Sequence, residues 1–211
     1  DTGDTAWMMV ATALVLMMTP ALGLFYAGLV RAKNTLNTFM MSLGAVAVAV
    51  VTWSAVGYSL AFDGDGSIIG GFHHAFLNDV GFDPRDGSTI PHLLFFAFQA
   101  TFCIITTALV SGAIVERVRF GPFLLFSALW LLLVYSPVCH WVWGGGWLGA
   151  MGLQDFAGGT VVHITAAVAA LVAALVMGPR RGFGTVAMPP HNLTLTVAGA
   201  GMLWVGWFGF N

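Results

Sequence analysis

The chain has 211 residues, 58% of them hydrophobic and only 8% charged, with a mean hydropathy of +0.88. A water-soluble domain carries about a quarter charged residues, so this composition leaves too little polar surface to cover a soluble globule. A net charge of −2 and an isoelectric point near 6.3 exclude a basic nucleic-acid surface, and two cysteines are too few for a disulfide framework.

Apolar runs of about 20 residues mark membrane-crossing helices. Six such runs lie near 7–30, 36–61, 93–115, 121–139, 156–178 and 193–211, which makes the fold class an all-α membrane protein. The chain opens on Asp1-Thr2-Gly3 without an initiator Met, so removal of an upstream segment is expected, and a cleaved signal peptide and an artificially trimmed N-terminus fit equally well. Run 1 ends at Arg31 and Lys33. Run 2 leads into the acidic stretch 63–92, which holds five aspartates. Run 3 contains Phe98, Phe102 and Cys103 and is followed by Arg117 and Arg119. Run 4 ends at Cys139, ahead of the loop Trp141-Val142-Trp143-Gly144-Gly145-Gly146. Both cysteines read as small buried hydrophobes. Run 5 starts after Asp155, carries His163 eight residues in, and ends before Arg180 and Arg181. Run 6 starts after Pro189-Pro190-His191-Asn192 and contains Trp207 and Phe210.

Charge placement orients the bundle. Six of the seven Lys/Arg residues fall on one side of the six runs and only Arg85 on the other, so the basic side is cytoplasmic and the N-terminus lies outside. Small residues on run 5 (Gly158, Gly159, Ala166, Ala170) are expected to let helix backbones approach closely.

One ionisable residue sits deep. At 1.5 Å per residue His163 lies about 12 Å below Asp155, close to the midplane of a core about 30 Å thick. A histidine bonded to a neighbouring helix and a proton- or amine-handling group both fit that position. Asp155, just ahead of run 5, is either a helix cap or a direct cation ligand, with the cap favoured. Phe98 and Phe102 share a helix face, and Trp143, Trp207 and Phe210 lie at similar outer depth. An interfacial aromatic belt and a cage for a small cation are both consistent with that spacing. His73, His74, His92, His140 and His191 read as solvated residues in loops or at span ends. The chain has no HExxH, CxxC, GxSxG, P-loop or paired-carboxylate motif, which argues against an enzyme and against a metal or cofactor. A cofactor protein using His163 as a ligand would need a second histidine at matching depth on these runs, and none is present.

The run Asp155-Phe156-Ala157-Gly158-Gly159-Thr160-Val161-Val162-His163 closely resembles the signature of the ammonium transporter family (Amt/Mep/Rh). So do Leu24-Phe25-Tyr26-Ala27-Gly28-Leu29-Val30-Arg31, Gly112-Ala113-Ile114-Val115-Glu116-Arg117, His140-Trp141-Val142-Trp143-Gly144-Gly145-Gly146 and Gly206-Trp207-Phe208-Gly209-Phe210-Asn211, in family order. Trp143 and the glycine triplet favour the Amt/Mep branch. The resemblance implies an eleven-helix fold of two inverted five-helix repeats plus one helix, of which these six runs resemble the first part. It implies ammonium and ammonia as substrates, with methylammonium a further candidate, and a multi-pass place in the plasma (inner) membrane bilayer. It implies that Trp143 and Phe102 recruit ammonium, that Phe102 and Phe210 gate the mouth, and that Phe98, Trp207 and His163 line the path. Asp155 becomes a structural carboxylate and His163 the first of a histidine pair. The second histidine, the serine completing the recruitment site and a cytoplasmic tail are expected in a continuation of the chain. A homotrimer, a PII-type regulatory partner, or a sensor with a fused signalling module follow from the same resemblance.

Overall fold

The computed structural model describes residues 1–64 and 66–211. Among them, six helices are long and apolar enough to cross a membrane: α1 Thr2–Leu29, α2 Ala32–Phe62, α3 His92–Ile114, α4 Phe120–Ala150, α5 Gly159–Met177 and α6 Leu193–Phe210. They make an all-helical, multi-pass membrane protein. A helix apolar on every face belongs in lipid or in the middle of a bundle. Helix α3 takes the middle, with 61% of its apolar window buried, against 22% for α5 and α6, which present broad faces outward.

Two sequence expectations shift at the outer ends. Run 4 was expected to end at 139, but its helix continues through Trp143, breaks at 144–146 and adds one turn, Trp147–Ala150. Trp143 is therefore the last residue of a helical segment, not a loop residue. The reason is His140, read from sequence as solvated but fully buried. Its Nδ1 lies 2.9 Å from the carbonyl oxygen of Ala61, and its Nε2 meets that of Gly66. A buried polar ring is tolerated where such partners exist. His92 is likewise buried, its Nε2 2.6 Å from the Tyr58 hydroxyl. Run 5 was expected from 156, but residues 156–158 form a turn. Gly158 there takes φ +86°, the left-handed region that suits glycine, and the helix starts one residue later.

Small residues bring helices together, though not mainly on α5. One close approach is α1 against α6. A Cβ at Gly199 would lie 2.5 Å from the Phe25 nitrogen and 2.6 Å from the Ala21 oxygen, and one at Gly209 would lie 2.9 Å from the Ala11 oxygen. Lipid supplies no hydrophobic drive for this pairing, so close backbone packing carries it. Gly199→Val is expected to cost about 1–3 kcal/mol by overpacking. A thermal melt in detergent tests this, and an unchanged midpoint would refute the close-packed pair.

Three π-helical turns, Trp53–Gly57, Leu131–Tyr135 and Gly159–Ile164, widen α2, α4 and α5. The first two meet in the core, where Trp53 and Tyr135 rings sit 5.9 Å apart edge to face. Both cysteines are buried and free.

At the end of the bundle that carries most of the basic residues, Glu116 ties three connections together. Its carboxylate accepts from the backbone N–H, Nε and Nη2 of Arg31, from Asn34 Nδ2 at 2.7 Å, and from Arg180 Nη1 at 3.2 Å. The basic residues that orient the chain thus also clamp its loops.

Candidate functional site

The outer half of α3 supplies Phe98 and Phe102, one turn apart and 4.9 Å between ring centroids. Phe102 meets Phe210 of α6 at 4.6 Å and stands edge-on to Trp143 of α4 at 5.8 Å. Trp207 packs on Phe210 at 4.7 Å. Rings from three helices meet in one cluster instead of spreading around the perimeter. Phe102 and Phe210 are nearly closed off from solvent, at 3% and 4% exposure.

Asp155 takes the capping arrangement. Oδ1 accepts from Gly158 N at 2.7 Å and Gly159 N at 2.8 Å, and Oδ2 from Thr160 N at 2.8 Å and Val161 N at 2.9 Å. Both oxygens are thereby spent on the amides that open α5, where a negative charge also suits the helix dipole. The same residue's backbone carbonyl accepts the Trp143 indole N–H at 2.7 Å. Asp155 therefore sets the start of α5 and the pose of Trp143 together.

His163 sits in the π-helical turn of α5, on a face exposed in this chain. Its ring stacks on Trp207 at 5.6 Å and meets Phe210 edge-on at 5.9 Å, so it lies directly against the two α6 rings of the cluster. Its Nδ1 is 3.1 Å from the Gly158 carbonyl oxygen. A carbonyl only accepts, so this bond places a ring proton on Nδ1, and in the uncharged tautomer Nε2 is then the acceptor.

A cavity of about 490 Å³ opens over the cluster. Besides Phe98, Phe102, Trp143, Asp155 and Phe210, it is lined by Phe62, Phe95 and Gln99, which the sequence reading missed. Phe95 was findable, because it lies three residues before Phe98 and seven before Phe102 on one helix face. Phe62 comes from the end of α2, and no spacing within one helix could reveal it. Among the described residues, no group of three or more His, Cys, Asp or Glu side chains is placed to hold a metal ion.

The family profile described as Ammonium Transporter Family matches residues 6–211. The chain is 56% identical over 210 residues to an ammonium transporter of Bacillus subtilis, covering 99% of this chain and 52% of that one. It is 51% identical to an ammonium transporter of Aquifex aeolicus, covering 100% of this chain and 50% of that one. The crystal structure of Candida albicans Mep2 superposes with a TM-score of 0.92 at 39% identity, covering 100% of this chain and 48% of that one. A solved structure described as Sensor Amt Protein matches at a TM-score of 0.89 and 30% identity, covering 98% of this chain and 53% of that one. The chain spans about half the length of the curated relatives it matches. Residue pattern, helix order and ring cluster point the same way as these likenesses: the chain belongs to the Ammonium Transporter Family.

Proposed function

We propose that this chain forms the outer mouth and one wall of a path that carries ammonium across the plasma membrane. The observation that carries the reading is the Trp143–Phe102–Phe210 ring contact lying directly against the His163 ring. Indole and phenyl faces attract a small cation, and each such contact is worth about 2 kcal/mol or more once the ion is desolvated. Phe102 and Phe210, 4.6 Å apart, leave no room between them for a hydrated ion. A bare cation in the apolar interior costs many kcal/mol. Passage past the rings is therefore easiest as ammonia, with the proton left behind at the mouth and relayed separately. The Nε2 lone pair of His163 then accepts an N–H from ammonia, and the stacked Trp207 holds the imidazole in place.

The names of the transporter relatives support transport, and the likeness to the Sensor Amt Protein supports a second reading, ammonium sensing by the same architecture. Proteoliposomes carrying the full-length gene product decide between them. An ammonium gradient is expected to drive a current, and Trp143→Leu to raise the half-saturating concentration about 30-fold, the equivalent of about 2 kcal/mol. Ammonia flux without current would refute the proton relay. Binding without any flux would replace transport with sensing.

A further inference from the structure

Arg85, the lone Lys/Arg residue on the outer side of the sequence, is not left in solvent. Its guanidinium carbon lies 4.6 Å from the Phe95 ring centroid and 5.6 Å from that of Phe62. Both rings also line the cavity over Trp143. The segment that carries Arg85 is pinned in place. Pro84 and Pro91 form a bridge, Ser88 N donates to Arg85 O at 2.9 Å, and His92 N donates to Asp83 O at 3.0 Å at the first turn of α3. Among the described residues no carboxylate makes an ion pair with Arg85. A full positive charge is thus held on aromatic faces at the mouth of a pocket whose rings suit a cation.

We propose that Arg85 is a resident cation that occupies an outer aromatic site, Phe62 with Phe95, and sets how tightly the mouth holds ammonium. This rests on the reading that ammonium is drawn to the Trp143 cage. Phe95 precedes Phe102 by seven residues, so the charge stands about 10 Å from the cage along α3. Like charges at that distance oppose each other enough to change affinity about two- to tenfold, depending on how well water screens them. The occupied rings also leave the inner cage as the place where an incoming cation finds a free aromatic face. Once the ion is deprotonated, Arg85 no longer acts on the neutral species, so its effect belongs to capture and not to passage.

The test uses the full-length gene product with Arg85→Gln and Arg85→Lys, and reads equilibrium ammonium binding by calorimetry together with flux in proteoliposomes. Arg85→Gln is expected to tighten binding about two- to tenfold at low ionic strength, with the change on KM and not on maximal flux. Arg85→Lys keeps the charge and should stay close to the parent. The difference should shrink at about 1 M salt, where the screening length is about 3 Å. Equal behaviour of the Gln and Lys variants, or a salt-independent change, would reduce Arg85 to a loop tether and overturn the proposal. An unchanged affinity in Arg85→Gln would overturn it as well. Binding by the parent without flux would defeat the transport reading while the Arg85 comparison still stands on affinity. No ammonium binding by the parent would defeat both.

Discussion

Asp155→Ala is expected to lower the thermal midpoint sharply and to abolish ammonium capture at the same time. Its carboxylate satisfies four consecutive amides, Gly158 to Val161, and its carbonyl holds the Trp143 indole. Leaving one buried donor unmade costs about 1–3 kcal/mol, and ordinary cap removals cost about 0.5–2 kcal/mol. Four donors lost at once at the edge of an apolar layer should cost about 3 kcal/mol or more, even with water replacing some bonds. Asp155→Asn keeps one acceptor oxygen and should lose roughly half as much. Melts in detergent and ammonium binding on the same samples check both parts. A variant that melts with the parent but loses binding would make Asp155 a direct cation ligand instead.

Glu116→Ala is the second large effect. The Glu116 side chain is 1% exposed and faces two guanidiniums, Arg31 at 2.9 Å and Arg180 at 3.2 Å. Removing one partner of a buried ion pair costs about 3–5 kcal/mol, because the remaining charges are left without their counterion. Three connections should loosen together, and protease should cut them faster in the variant. A pH signature accompanies this. Burial pushes the Glu116 carboxyl up, but hydrogen bonds from Arg31 and Asn34 outweigh it and hold the group at about 2 against an ordinary 4.5. A depressed folded value means the stabilisation is complete above the unfolded value and is lost as the pH falls from about 4.5 toward about 2. Melts between pH 7 and pH 3 should show that decline in the parent, and Glu116→Gln should lose the Glu116 share of it. Identical pH slopes would refute the assignment.

Much of the site was legible because each part left a local trace. Phe98 and Phe102 are a helical i,i+4 pair, His163 interrupts an apolar run, and Asp155 precedes a helix start. Their convergence left no such trace. Phe102, Trp143 and Phe210 come from three helices, and only packing brings the Phe102 ring to 4.6 Å from Phe210 and 5.8 Å from Trp143. Phe62 joined the cavity for the same reason. His92 and His140 were misread as solvated because a histidine at the end of an apolar run looks the same whether water or a partner satisfies it. Tyr58, Ala61 and Gly66 are those partners, and all lie far away in sequence.

What the chain determined by sequence alone is its class and its six spans, because the cost of burying charge in lipid acts on each segment separately. The tertiary structure decided which glycines join helices, how Asp155 spends its oxygens, where the one outer arginine rests and which rings meet beside His163. Those outcomes depend on distances between segments far apart in the chain, and local composition does not encode such distances.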